Sequence, residues 1–280
     1  MRSSVDITVL CNNDSIGGHI RAEHGLSLHV STPSGNLLFD TGQSDVFLDN
    51  AKTLQISLDK LSALVLSHGH YDHTGGLAYG AALFRNLPIY FHPEALQDRY
   101  RRMDDGTAKS IGIPCSSFNL LQHPDFRAVH TSQPVEVLKN IRVTGAIPRT
   151  ASFEDTGGPF YLDRECTLED SIADDQALWI NASCGVIVLL GCAHAGVINT
   201  LRYIQTLILP RKICAVIGGF HLKNASEHRL LTTIDALKRF DLAMLAPCHC
   251  TGEKAIEALA AAFPNIFVQC NGGSRFTFPL

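Results

Sequence analysis

Short apolar runs recur along this chain, and their spacing changes character from one half to the other. Residues 5–11 and 25–31 read as β-strands, and a turn at Pro33-Ser34-Gly35 leads into 36–40, a strand that ends on an acid, Asp40. Residues 44–51 have the spacing of a short helix. The stretch 60–67 closes on the β-like run Leu64-Val65-Leu66 and then meets a cluster of histidines. Thr74 is placed to cap a helix running to about residue 84, and 88–91 reads as another short strand.

From about 93 to 140 the pattern is less regular, with Arg99, Arg101, Arg102, Asp104 and Asp105 among several prolines. No sustained apolar period supports a second domain there. The segment is expected to be an insertion in a single domain spanning 1–280. It is either a solvated excursion or a lid over the site, since long loops in compact domains are often functional. After a short strand at 141–144, strands at 186–190, 213–217 and 242–245 alternate with helices at 197–207, 227–240 and 253–262. A last buried strand is expected at 266–269 and an edge strand at 275–278. The front half is hairpin-like and the back half crossover-like, so the fold class is α/β.

With 280 residues, 45% hydrophobic and 18% charged, the chain can bury one large core, and disorder is not expected. A net charge of −4 argues against a phosphate-backbone binder, so nucleic acid is not an expected partner. The longest apolar run, 185–190, is of strand length, and Asp6 interrupts the first residues before any leader-like region. These features lead us to expect a soluble, cytoplasmic protein without membrane contact; a homo-oligomer is compatible with the sequence. Nine cysteines, several of them in apolar runs (Cys184, Cys214, Cys270), point to buried free thiols in a reducing compartment rather than a disulfide framework.

The chemistry concentrates in His68-Gly69-His70-Tyr71-Asp72-His73, directly after a buried apolar strand. Neutral imidazole and carboxylate are ligands for Zn²⁺ and similar divalent ions. So many polar groups without partners would be costly in a core. In an extended segment His68, His70 and Asp72 fall on one face, and a bend at Asp72-His73 presents a second pair to a neighbouring ion.

This H-x-H-x-D-H pattern resembles the signature of the metallo-β-lactamase superfamily. Asp40-Thr41-Gly42 matches that superfamily's buried acid, which holds the ligands from behind. Glu23-His24-Gly25-Leu26-Ser27, Gly191-Cys192-Ala193-His194-Ala195-Gly196, Gly218-Gly219-Phe220-His221-Leu222 and His249-Cys250-Thr251-Gly252 are similar to the branch related to the 7,8-dihydropterin-6-methyl-4-(β-D-ribofuranosyl)aminobenzene-5'-phosphate synthases. The resemblance implies a four-layer αβ/βα sandwich: two mixed sheets face to face, helices outside, and the site in a cleft along one edge. It also implies a site for two divalent metal ions, zinc foremost, with manganese or iron as alternatives.

On that footing His194 and His249 join His68, His70, Asp72 and His73 as expected metal ligands. One ion is expected on His68, His70 and a further ligand, the other on Asp72, His73 and His249. His194 stands where the superfamily usually places a bridging Asp, which is a departure. Cys248 and Cys250 flank His249 and are expected to point away from it into the body. The superfamily's middle His has no evident counterpart. The matching stretch, Gly145-Ala146-Ile147-Pro148-Arg149, holds none, and Glu154 lies nearby. Arg149 is a candidate for holding an anionic substrate group, since its planar guanidinium suits phosphate or carboxylate. Glu154 and His24 are further candidates for the substrate side of the cleft. His221 is a candidate ligand or proton-transfer group, and Asp72 has a second candidate task in orienting water.

Hydrolysis of an ester, phosphodiester or related bond in a small molecule, with an anionic substrate as the candidate, is the first functional reading, with metal-activated water as the nucleophile. A synthase or transferase on a pterin-related or phosphorylated substrate is the second. A non-catalytic metal-binding sensor is the third, and the intact ligand loop argues against it. Redox chemistry at a di-iron site is disfavoured by His70, where the redox branch usually carries an acid.

Overall fold

The computed structural model describes residues 4–280. The front half runs β1 (Ser4–Cys11), β2 (Ser27–Thr32), β3 (Gly35–Phe39), α1 (Val46–Thr53), β4 (Leu61–Val65), α2 (Tyr71–Thr74), α3 (Ala81–Phe84) and β5 (Pro88–Phe91). The middle holds β6 (Tyr100–Arg102), β7 (Ala108–Ser110), α4 (Cys115–Gln122), β8 (Arg127–His130), β9 (Val135–Leu138), β10 (Ile141–Val143) and β11 (Phe160–Tyr161). The back half runs β12 (Leu178–Ala182), β13 (Gly185–Leu190), α5 (Val197–Ile208), β14 (Ile213–Gly219), α6 (Glu227–Leu237), β15 (Met244–Cys248), α7 (Glu253–Ala262) and β16 (Arg275–Pro279).

Two mixed sheets carry the fold. One has the order β16-β1-β2-β3-β4-β5-β8, the other β15-β14-β13-β12-β10-β9. The period of two decides which residues meet. On β13, Ile187 and Leu189 face the other sheet, while Val186, Val188 and Leu190 face α5 and α6. Both faces of this strand are covered, so it reads as one unbroken apolar run. On β3, Leu37 and Phe39 point into the same inter-sheet core, and Leu38 points out to the layer of α1, α3 and α4. The result is the expected four-layer sandwich. On α5, Val197, Ile198, Leu201, Ile204 and Ile208 form one buried stripe at helical spacing, each buried side chain contributing roughly 1.5–3 kcal/mol.

Several expectations need correction. The helix expected from Thr74 to about residue 84 is broken into α2, a single 3₁₀ turn and α3. A Cβ on Gly75 or Gly76 would lie 2.4 or 2.1 Å from the carbonyl oxygens of Gln43 and Thr41, so the chain is pressed against a neighbouring loop there. Residues 266–269 are not a buried strand: only Phe267 bridges, to Leu245, and Val268 is exposed. The 93–140 stretch is not one excursion. Its end supplies β8 to the first sheet and β9 to the second, and only the hairpin β6–β7, joined by β11, stands apart as a small third sheet. Cys184 is exposed at the β12–β13 turn and is paired with Cys214 of β14, so these two are not free thiols. Cys11, Cys166, Cys192, Cys248, Cys250 and Cys270 are free and buried. Among the described residues no helix is long and apolar enough to cross a membrane.

His29, on β2, is buried with its Nε2 unpartnered, and burial pushes its pKa down to about 4. An unfolded histidine takes up its proton near pH 6.5. Stability present above that pH is therefore lost as the pH falls through about 4, by about 3 kcal/mol for this group. His29→Gln is expected to show a shallower fall in denaturant midpoint between pH 7 and pH 4 than the wild type; parallel curves would refute the assignment.

Candidate metal centre

The site begins where β3 and β4 end side by side. Asp40 follows β3 with a left-handed φ of 61°, a conformation an acidic residue tolerates better than most. Its fully buried carboxylate accepts from Ser67 N (2.6 Å), from Ser67 Oγ (2.6 Å) and from His73 Nδ1 (2.7 Å). The last bond leaves His73 Nε2 aimed into the cleft, which is the role expected of Asp40. Gly69 has no alternative: a Cβ would lie 2.1 Å from Ala95 O. Its N–H donates to Asp174 (2.7 Å), and Asp174 is gripped by Arg99 through two hydrogen bonds of 2.6 and 3.0 Å. Arg99 also pairs with Asp170 at 3.1 Å.

The loop is extended only as far as His70, which precedes α2 with φ −75° and ψ 149°. Asp72 and His73 lie in that helical turn, so Asp72 does not share the strand-like face of His68 and His70. The helical turn carries it instead toward His249. Asp72 Oδ2 lies 3.4 Å from His249 Nε2, 3.6 Å from His73 Nε2 and 3.3 Å from His24 Nε2. His249 sits just after β15 with φ 53°, and its Nδ1 donates to Asn13 Oδ1 (2.9 Å), turning Nε2 inward to within 3.1 Å of His73 Nε2. On the other side, His68 Nε2 lies 2.9 Å from His70 Nδ1. His194 Nδ1 donates to Thr156 O (2.8 Å), which leaves its Nε2 bare.

These contacts test whether the residues suit cations. His70 Nε2 and His194 Nε2 are buried without any partner. Two pairs of imidazole nitrogens face each other at hydrogen-bond distance, an arrangement in which lone pairs repel unless a proton or a cation is shared. Burial, reinforced by neighbouring imidazoles or Arg99, pushes the pKa values of His68, His70 and His194 well below the usual histidine range, which keeps them neutral and fit to ligate. Burial would raise the pKa of Asp72, but the charge of His73 and the hydrogen bond from His249 outweigh it and hold the carboxyl ionised. For His73, burial is outweighed by Asp40 and Asp72, which push its pKa up to about 9, so without a cation this ring keeps a proton that a bound ion would displace from Nε2. The donor set fits divalent ions.

Cys192 is the residue that sequence reasoning passed over, although it stands two positions before His194 in a motif already noted. Its Sγ lies 3.2 Å from His73 Nε2. Ligand atoms of His68, Cys192 and His194 all lie within 4.8 Å of one another, and so do those of His73, Cys192 and His249. Cys192 therefore stands between the two sets, in the place first expected of His194, and His194 moves to the side of His68. The two neighbours of His249 also part ways. Cys248 packs in the inter-sheet core, as expected, whereas Cys250 faces the cleft near Cys192 and His221. A cobalt-loaded protein is expected to show a thiolate-to-metal absorption band in the near ultraviolet that Cys192→Ser abolishes. A band unchanged in that variant would remove Cys192 from the site.

The remaining candidates divide. His24 is exposed at the mouth of the cleft, its ring 5.3 Å from that of His249. His221, with φ 47°, lies over His194 at 4.2 Å between ring centres, in space that Gly157 leaves free, since a Cβ there would come within 1.9 Å of its ring. Arg149 does not reach the cleft. Its guanidinium donates to His194 O (2.8 Å) and to Ser171 O, clamping backbone behind the site. Glu154 accepts from Ile198 N (2.9 Å) and Asn199 N (2.8 Å), capping α5, whose N-cap residue, Gly196, has no side chain to do so. Neither Arg149 nor Glu154 is among the residues lining the cleft.

A family model described as the metallo-beta-lactamase superfamily matches residues 22–159. The 7,8-dihydropterin-6-methyl-4-(beta-D-ribofuranosyl)-aminobenzene-5'-phosphate synthase of Methanocaldococcus jannaschii is 29% identical over 273 residues, 92% of this chain and 90% of that protein. A second protein of the same organism, the uncharacterized protein MJ0448, is 32% identical over 241 residues, 85% of this chain and 88% of its own. The crystal structure of Tm1679, described as a metal-dependent hydrolase of the beta-lactamase superfamily, is 30% identical and superposes with a TM-score of 0.83, covering 97% of this chain and 98% of that one. With a family model matching 22–159 and relatives of 30% and 32% identity along most of its length, the chain belongs to the metallo-β-lactamase superfamily.

Proposed function

We propose that this protein is a metal-dependent hydrolase with two adjacent cation positions, acting on an ester, phosphodiester or related bond of a small molecule. The observation that supports it most is the pair of converging donor sets with Cys192 between them. His68, His194 and Cys192, with His70 beside them, would hold one ion. Asp72, His73, His249 and Cys192 would hold the other. A thiolate among imidazoles favours zinc. Divalent ions there supply Lewis-acid polarisation of the scissile group and a water nucleophile at neutral pH.

The chain's own residues supply the rest. Asp72, ionised and 3.3 Å from His24 Nε2, orients the attacking water, and His24 at the solvent edge takes its proton. His221, across the cleft with its Nδ1 unpartnered, serves the leaving group. Phe160 packs against His70 and His194 and keeps water from the back of the site. The buried free thiols suit a reducing, cytoplasmic setting, with the Cys184–Cys214 pair as the exception. A second reading, a synthase or transferase on a pterin-related or phosphorylated substrate at the same metal site, is favoured by the identity to the M. jannaschii synthase.

Elemental analysis of wild type should give about two equivalents of metal per chain, reduced in His68→Ala and His249→Ala and kept in His221→Ala. Turnover of chromogenic phosphodiesters, esters or lactones should vanish on chelation, return with zinc, and be lost in all three variants. Metal retained with no hydrolysis of any of these would move the assignment to the synthase reading; a chain that takes up no metal would end both.

A further inference from the structure

We infer that the mouth of this cleft is an anion subsite, formed by Arg101, Lys109 and Lys223, that binds a phosphate or carboxylate at the end of the substrate remote from the reacting bond. The inference rests on the cleft being the substrate site, as proposed above. The three side chains come from separate segments, two from the β6–β7 hairpin and one from the turn after β14, and all line the same cleft as the metal ligands. Asp72, on the floor beside His73 and His249, is the only carboxylate in that lining. Among the described residues the three cations make no side-chain hydrogen bond and no ion pair, a freedom shared by Lys52, Lys60 and Lys254, so it is their convergence on one cleft that sets them apart. In a chain of net charge −4 this is a local reversal of sign.

The hairpin's register adds a second observation. Arg101 and Lys109 stand directly opposite each other on β6 and β7. Like charges in that position repel, and although Asp104 and Asp105 lie in the hairpin's turn, neither pairs with Arg101 or Lys109. An anion held between them relieves it. The hairpin is also tied to the site: Ile111 O, just beyond β7, accepts from Tyr71 N (3.0 Å), and Lys109 Nζ stands 5.5 Å over the Tyr71 ring. Lys223 is equally fixed. Its N–H donates to Cys250 O (3.4 Å), and its backbone packs so close to Gly252 that a Cβ there would come within 2.6 Å of Lys223 Cα. Tyr71 and Phe160 line the same cleft and give it flat apolar walls. The assignment given to Arg149 by sequence passes to these three residues.

Titration calorimetry on the metal-loaded protein tests this with phenylphosphonate and benzoate as probes and benzyl alcohol as the neutral control. The variant Arg101→Gln/Lys109→Gln/Lys223→Gln should keep its metal content, weaken binding of the preferred anion about tenfold and flatten its dependence on salt. The stronger of the two probes identifies the subsite as one for phosphate or for carboxylate. Equal binding in the triple variant and the wild type would overturn the proposal, as would binding of neither probe, or binding lost in His68→Ala yet intact in the triple variant. The hydrolase reading stands or falls on metal content and turnover, which calorimetry does not use.

Discussion

Replacing Arg99 by alanine is expected to lower the thermal midpoint by about 10 °C and to abolish metal uptake at ordinary concentrations. Arg99 is 1% exposed and compensates two carboxylates, Asp170 and Asp174. Removing one partner of a buried pair leaves the other charge without solvent or counter-ion, at a cost of about 3–5 kcal/mol. The effect does not stop at stability. Asp174 also accepts the N–H of Gly69, in the middle of the ligand loop, so an unpaired Asp174 that protonates or turns away releases the segment between His68 and His70. The double variant Arg99→Met/Asp174→Asn should recover part of the stability, because only Asp170 is then left without its partner and the amide oxygen still accepts from Gly69. Thermal denaturation and metal content of the three proteins decide the matter. A single variant within about 1 kcal/mol of wild type would mean that the pair is solvated and holds nothing in place.

Asp40→Asn should weaken metal binding by about 10- to 100-fold, measured by competition with a chromogenic chelator, while leaving the fold intact. Asparagine tolerates the left-handed backbone at this position and keeps one oxygen for Ser67. What it cannot keep is a full negative charge against His73 Nδ1, so the ring is no longer held in the tautomer that presents Nε2 as a lone pair. Asp40→Ala adds backbone strain at φ 61° and should also lose stability. Unchanged affinity in Asp40→Asn would show that His73 is oriented by its packing alone.

Much of the architecture was legible because the pattern that encodes it is local. The runs at 186–190 and 213–217 could only be covered strands, and the stripe along 197–207 could only be a helix laid on them. What escaped was decided by contacts between distant segments. Whether Thr74 begins a long helix depends on Thr41 and Gln43, whose carbonyls fill the space beside Gly75 and Gly76. The strand β8 is too polar to announce itself, since Arg127 and Ala128 are exposed on an edge and only pairing with β5 makes it a strand. The site follows the same rule. Four residues in one short loop, His68, His70, Asp72 and His73, and two histidines after strands, His194 and His249, were visible as ligand types. Cys192 was not, because in sequence it is a cysteine in an apolar run, and only the approach of β13 to the His73 ring makes it a candidate ligand. Arg149 and Glu154 have the right chemistry for a substrate but face backbone groups behind the cleft, and nothing local to them shows which way they turn.

The pairing of β1 with β16 sets an order of events on the ribosome. Ser4 is matched to Pro279, so β1 is completed only by residues synthesised long after it. Until 275–279 clear the exit tunnel, β1 presents an open edge beside β2, and a nascent chain that stalls before that point displays a ready template for intermolecular pairing. The same delay governs the donor set, since His249 meets Asn13 and His73 only after most of the chain has been synthesised. Metal capture on both positions thus waits for His249, and a translation product truncated before that residue competes poorly for the ion.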